Sequence, residues 1–157
     1  MKKYELTSET KIVFGHILYR IKALSSFGCV SAGDLGGFLE SEKNLSQNGN
    51  AWVFGNAEVY GNAEVYGNAW VSGNAEVSEI GAIFWIGAIG SRNDTATFFR
   101  CRDGSIKVVC GCFFGNLDEF AKKVRKTHGD NDHAKVYMLA IEMAKIRIGD
   151  KKEKTEE

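Results

Sequence analysis

The chain has 157 residues, with 20 Lys plus Arg against 20 Asp plus Glu and 44% hydrophobic side chains. That length suits one domain with a useful core, or a small domain and an appendage, and a formal charge of zero removes the long-range field that draws nucleic-acid binders to phosphate. The longest apolar run, IGAIFWIGAIG from Ile80 to Gly90, is too short to span a bilayer, and MKKYELTSET has no apolar signal region.

No nucleic-acid polymer and no membrane is therefore expected as a partner, and a cytoplasmic location is expected. The four cysteines, Cys29, Cys101, Cys110 and Cys112, form no CxxC pair, so they are read as reduced thiols rather than staples. Proline is absent and there are 18 glycines, which leaves the turns to Gly and Asn.

In chain order, Tyr19 to Ala23 alternates apolar and polar, which predicts a strand, and residues 1–26 are read as an N-terminal strand and cap. From Phe27 to Gly49, Val30, Leu35, Leu39 and Leu45 recur at loose intervals. A repeat of period six follows: GNAWVF, GNAEVY, GNAEVY, GNAWVS and GNAEVS, ending at Ser78. Two arrangements can use a four-residue strand and a Gly-Asn corner. In a meander of hairpins, residues flanking each turn pair on one face, so Tyr60 would sit beside Ala63 and Glu58 beside Val65, and neither face would be apolar. In a solenoid, Ala57, Val59, Ala63, Val65, Ala69 and Val71 all point inward, while Glu58, Tyr60, Glu64 and Tyr66 point outward. A one-residue slip would move the whole apolar set into water, so the pattern favours the solenoid.

Beyond the repeat, Thr95 to Arg102 and Ser105 to Phe114 flank Asp103-Gly104, a hairpin signal. Asn116-Leu-Asp-Glu119 begins a helix that should end at Gly129. A last helix over about His133 to Ile148, started by Asp130 or Asp132, has Val136, Leu139, Ala140, Met143 and Ala144 to bury. KKEKTEE is a charged, solvated end.

An aliphatic residue followed four positions later by a small one, recurring every six from Gly49 to Ser78, resembles the hexapeptide repeat of left-handed parallel β-helices. That resemblance implies three hexads per coil, so residues eighteen apart stack at about 4.8 Å. The 57 residues from Phe27 to Ile83 would make about three coils. The wider chain is similar to a group of phage and prophage proteins, on LYRIKAL (Leu18 to Leu24), GDLGGFLE (Gly33 to Glu40), NLSQNGNAWV (Asn44 to Val53), IGSRNDTATFF (Ile89 to Phe99), CGCF (Cys110 to Phe113) and HGDN (His128 to Asn131). Such proteins are often labelled polymer-forming or transferase-like from the repeat alone, a label that carries little chemistry. The fold expected is mainly β: a short left-handed parallel β-helix of about three coils over residues 27–88, then a small α+β unit over 89–149, a β-hairpin plus two helices, and a disordered tail over 150–157.

Stacking eighteen apart sets Trp52 over Trp70 on one outer face, with Phe54 beside them. Rigid aromatics on a flat face mark an interface or a ligand surface, unless the C-terminal helices cover them. On the next face Glu58 stacks over Glu76, a like-charge pair that needs solvent screening or a compensating cation. Ser91, Arg92, Asn93 and Asp94, followed by Thr95 and Thr97, lie where the repeat hands over to the hairpin. They could hold a phosphate or nucleotide edge, or form a self-capped polar turn. Arg100 could extend that surface. The expected ligand-binding set is therefore Ser91, Arg92, Asn93, Thr95, Thr97 and Arg100, with Trp52, Trp70, Tyr60 and Tyr66.

No catalytic set is assigned. A hexapeptide-type acyltransferase would want a His beside the coils, and none lies between Phe27 and Gly90; His16 precedes them and His128 and His133 follow. Neither a metal nor a cofactor is expected, since the five-residue spacing of His128 and His133 is not that of a helical zinc pair, and Cys110 and Cys112 are read as buried thiols. The family resemblance implies a homotrimer of side-by-side prisms. The function expected is non-catalytic binding of a small anionic or nucleotide-like ligand. For a phage protein that implies sequestration of a host immune signalling nucleotide in the host bacterial cytoplasm, an anti-defence role. The alternatives are acyl transfer and a scaffold that blocks a host enzyme.

Overall fold

The computed structural model describes residues 1–149; the charged end expected to be disordered lies outside them. By their internal contacts the residues fall into two units, one from Met1 to Ile80 and one from Gly81 onward.

In the first unit, β1 (Tyr4–Val13) and β2 (His16–Ala23) form an antiparallel hairpin. Its turn places Phe14 and Gly15 at φ 48° and 83°, a conformation that costs Phe14 more than Gly15. β3 (Leu35–Leu39) pairs antiparallel with β2. Within the repeat, strands of two residues form at β4 (Trp52–Val53), β5 (Glu58–Val59), β6 (Trp70–Val71) and β7 (Glu76–Val77). β4 pairs parallel with β6, Trp52 opposite Trp70, and β5 pairs parallel with β7, Glu58 opposite Glu76. The corner glycines Gly55, Gly61, Gly67 and Gly73 take φ between 60° and 66°. At Gly61 an added Cβ would stand 2.4 Å from the Ser78 carbonyl oxygen, so adjacent turns approach too closely for any side chain. Ala57, Val59, Ala63, Val65, Ala69 and Val71 are all at most 1% exposed. Each buried valine contributes about 1.5–3 kcal/mol of transfer free energy.

The expected fold class, a mainly β chain built on a left-handed β-helix of about three coils, is nevertheless overturned. Among the described residues the strands form a mixed five-stranded sheet in the order β1-β2-β3-β5-β7, a separate two-stranded sheet, and a four-stranded antiparallel sheet accompanied by two helices. This is an α+β fold. Physically, the repeat's two-residue strands are too short to build a continuous sheet along the repeat. Of these strands β5 and β7 extend a sheet that begins with the long antiparallel hairpin, β4 and β6 pair only with each other, and the hexad around Val65 contributes an isolated bridge to Leu45. The alternation read from the repeat identifies the inward Ala and Val set without fixing the architecture, and Trp52, Glu58 and Tyr60, expected to point outward, are also buried, at 1%, 3% and 4% exposed.

The second unit holds β8 (Ile83–Ile89), β9 (Asp94–Arg100), β10 (Ile106–Cys110) and β11 (Phe113–Asn116), all antiparallel to their neighbours in the order β11-β10-β9-β8. The two-stranded hairpin expected here is thus widened on both sides. Ile83 to Ile89, read as the end of the coils, is an edge strand, and Cys110 turns sharply through Gly111 and Cys112 into β11. Helix α1 (Leu117–His128) starts at a reciprocal cap, in which Asn116 Oδ1 accepts from Glu119 N and Glu119 Oε1 accepts from Asn116 N, and it ends at Gly129. Helix α2 (Asp132–Ile148) is capped by Asn131, whose Oδ1 accepts from Ala134 N, rather than by Asp130 or Asp132. One sheet face, with Ala96, Phe98, Ile106 and Val108, packs with Phe120, Val124, Tyr137, Ala140, Ile141, Ala144 and Ile148 into one core. Val136, Leu139 and Met143, expected inside, are exposed: Tyr137, Ile141 and Ile148 take the core side of α2 instead. No helix among the described residues is long and apolar enough to cross a membrane.

Candidate functional site

A cleft of about 410 Å³ opens within the second unit. Four segments build its wall. The β8–β9 turn supplies Ser91, Arg92 and Asp94; the β10–β11 turn supplies Cys110, Gly111 and Cys112; α1 supplies Phe120, Lys123, Val124, Thr127 and His128; α2 supplies Tyr137. On α1, Phe120, Lys123, Val124, Thr127 and His128 recur at three- and four-residue spacing, so one helix face carries an apolar floor and a polar rim.

Tyr137 lines the cleft with only its edge exposed, at 8%. Its ring meets Phe120 edge-on at 5.5 Å and lies nearly parallel to the His128 imidazole at 5.8 Å, and His128 in turn approaches His133 at 5.3 Å. Its hydroxyl lies 4.0 Å from Cys110 Sγ. Burial pushes the Tyr137 phenol up to about 12, helped by Cys110 and Asp94 and opposed by the Arg92 guanidinium. The phenol thus stays protonated and able to donate at neutral pH. Burial likewise raises the Cys110 thiol, which makes it a poor nucleophile. Gly90, at φ 78°, lies against the hydroxyl end of the ring: an added Cβ would stand 1.9 Å from Tyr137 Oη.

The charge around this apolar floor is mainly positive. Arg92 and Lys123 are exposed at the rim and His128 is half-buried, with Asp94 the one carboxylate among the lining residues. Hydroxyls come from Ser91, Thr127 and Tyr137. Such a set can neutralise an anion, donate hydrogen bonds to its oxygens, and set a flat or apolar moiety against Tyr137 and Phe113.

Of the residues expected to bind ligand, Ser91 and Arg92 line this cleft. Asn93 is exposed in the same turn at φ 53°, as a left-handed turn residue, and is not in the lining. Thr95 is half-buried and Thr97 is 1% exposed within β9. Arg100 is 9% exposed, and its Nη2 donates to the carbonyl of Ile148. It therefore satisfies one of the end carbonyls of α2 rather than reaching a ligand. Trp52, Trp70, Tyr60 and Tyr66 belong to the first unit, and none of them lines the cleft. Trp52, expected on an outer face, is 1% exposed, because Tyr4 and Phe27 meet it edge-on at 6.1 and 5.3 Å. Trp70 is half-buried against Phe54, its Nε1 donating to the Asn50 carbonyl, and Tyr66 is exposed.

Lys123, Thr127, His128 and Tyr137 were not among the expected ligand-binding residues. The sequence signal that could have found them is the Lys123-Thr127-His128 spacing on one face of a helix that also carries Phe120 and Val124. All four cysteines are free thiols, but Cys112 is exposed and Cys110 only half-buried, where buried thiols were expected. No group of three or more His, Cys, Asp or Glu among the described residues could hold a metal ion.

A second polar cluster lies in the first unit. Glu58, expected to face water above Glu76, is 3% exposed and ion-paired with Lys11 of the N-terminal hairpin, whose ammonium also sits 4.2 Å from the centre of the Phe38 ring. The Tyr60 hydroxyl donates to Glu76 Oε1 at 3.2 Å, and burial, followed by Glu76, pushes that phenol up to about 12. A cation and a phenol thus relieve the stacked carboxylates. The His16 ring lies tilted against Tyr60 at 4.9 Å and places Nδ1 2.7 Å from Glu40 Oε2, while Glu40 Oε1 accepts from Gly61 N. The His16 bond and then the Gly61 amide hold the Glu40 carboxyl below its usual range.

No family model and no curated protein sequence matches the chain.

Proposed function

We propose that the protein is a non-catalytic binding protein for a small anionic, nucleotide-like ligand, held in the cleft of the second unit. The observation that carries this reading is the convergence of Arg92, Lys123 and His128 with the hydroxyls of Ser91, Thr127 and Tyr137 around an aromatic floor. A cleft of this volume suits a mononucleotide-sized molecule, since small-molecule sites run from about 300 to 1,000 Å³. Charge-assisted hydrogen bonds contribute about 1.5–3 kcal/mol each, so two of them supply about 3–6 kcal/mol toward holding the anion.

A narrower form of the proposal, sequestration of a host immune signalling nucleotide in the host bacterial cytoplasm by a homo-oligomer, rests on the expected resemblance of the sequence motifs to phage proteins alone. A thermal-shift screen with cyclic nucleotides and ADP-ribose derivatives tests it. The expected result is stabilisation by at least one of them, abolished in Arg92→Ala with Lys123→Ala; no stabilisation at saturating ligand overturns it. A second reading, acyl transfer, gains from one observation, the His16–Glu40 pair, because a carboxylate that orients an imidazole prepares it to act as a base. Acetyl-CoA turnover that disappears in His16→Ala and survives in Arg92→Ala would favour that reading over the first.

A further inference from the structure

Helix α2 is apolar on two faces. Its core face buries Ala134, Tyr137, Ala140, Ile141, Ala144 and Ile148. On the other side Val136, Leu139, Met143 and Ile146 are 44%, 64%, 46% and 84% exposed. Their spacing of three, four and three residues is that of alternating a and d positions in a heptad. At 100° per residue the four side chains form one stripe about 80° wide, on the side of the helix away from the core. A stripe that narrow matches the seam of a two-helix coiled coil rather than the broad face a helix lays on a sheet. The eight residues after Gly149, DKKEKTEE, are all charged or polar and carry nothing apolar to cover it.

We infer that this stripe is the contact between two copies of the chain, with their α2 helices packed side by side and parallel. Charge selects the orientation. With these a and d positions, Glu142 takes a g position and Arg147 the e position five residues later. In a parallel pair each Glu142 faces the partner copy's Arg147, giving two attractive contacts across the seam. In the antiparallel pair that overlaps all four apolar residues, the two Glu142 carboxylates meet near the dyad and repel. Four side chains give a patch below the standard of about 800 Å² per partner, so the dimer is concentration-dependent. Tyr137 lies on the core face, so the seam and the binding cleft draw on different sides of α2.

Light scattering on the full chain over a concentration series, at low salt, tests this. The expected result is a mass rising from one chain to two, and staying at one chain in Leu139→Glu with Ile146→Glu. Both residues are exposed, so the variant should keep its helical circular dichroism. Glu142→Arg should weaken the dimer about tenfold, and adding Arg147→Glu should restore it. In a Cys29→Ser, Cys112→Ser background, Met143→Cys should form an intermolecular disulfide, because identical a positions meet only in a parallel pair. A monomer at every concentration overturns the inference. So does an oligomer that the Leu139 and Ile146 changes leave intact, or a failure of Met143→Cys to cross-link while the dimer persists.

Discussion

Replacing Gly90 by alanine tests whether Tyr137 is held where the cleft requires it. Two costs combine. At φ 78° an alanine takes a left-handed conformation that L residues disfavour by about 1–2 kcal/mol. Its Cβ would also stand 1.9 Å from Tyr137 Oη and 2.6 Å from Cζ. A tyrosine ring cannot bend away as a lysine tip could, so it must move off its edge-on contact with Phe120, and forced repacking of this kind costs about 1–3 kcal/mol. Together Gly90→Ala should lose about 2–5 kcal/mol. The described α-helices lie in the second unit, so urea unfolding followed at 222 nm reports this loss selectively. A double-mutant cycle with Tyr137→Ala isolates the steric part: the backbone cost remains when the ring is gone, so the cycle should show about 1–3 kcal/mol of coupling. A Gly90→Ala protein as stable as the parent, or a cycle with no coupling, would refute the placement of Tyr137 against Gly90.

Other consequences are testable separately. Lys11→Met strips Glu58 of its ammonium partner and should destabilise the first unit by about 2 kcal/mol, less than the 3–5 of a fully enclosed pair because part of Lys11 is in water; tryptophan fluorescence during unfolding, in a Trp85→Phe background that leaves Trp52 and Trp70, measures it, and adding Glu58→Gln should recover much of the loss. Glu40 has its pKa lowered in the fold, so its contribution is present above the ordinary value of 4.5 and is lost as pH falls through the folded value. Glu40→Gln should therefore cost its full effect above about pH 4.5 and progressively less as pH falls below that, which flattens the acid limb of the stability curve. Tyr137 has its pKa raised, so its contribution is full below pH 10 and is lost as pH rises toward about 12; the alkaline limb of Tyr137→Phe, read by circular dichroism at 222 nm, should fall less steeply across that interval than that of the parent.

What the sequence made legible follows the range of the forces involved. The period-six alternation sets which repeat residues face inward, since parity is local and burial enforces it, and Val59, Val65 and Val71 are all enclosed. The helix starting at Asn116 and ending at Gly129 could be read because caps are chemistry within a few residues. Architecture was not legible, because the partner of each short strand lies far away in the chain. β3 joins a distant hairpin on one side and the repeat on the other, and no spacing within GDLGGFLE announces that. Trp52 and Glu58 were misplaced for the same reason: the N-terminal hairpin supplies Tyr4 and Lys11 to cover them. Half of the cleft was visible, as the polar turn at Ser91 and Arg92. The helical half, with Lys123, Thr127 and His128, could be matched to that turn only once the sheet had brought α1 to it. The outward stripe of α2 was misread as core because a helix apolar on two faces gives no local sign of which face turns inward.

The cleft of the second unit is proposed to bind a small anion with a flat ring. The most direct measurement is a titration of the isotope-labelled full chain with adenosine monophosphate, following backbone amide shifts. The account predicts saturable changes concentrated in residues 90–94, 110–113 and 120–128 and at Tyr137, weakened by salt and lost in Arg92→Ala with Lys123→Ala. Shifts clustered instead around Trp70 and Tyr66, or none at millimolar nucleotide, would contradict it.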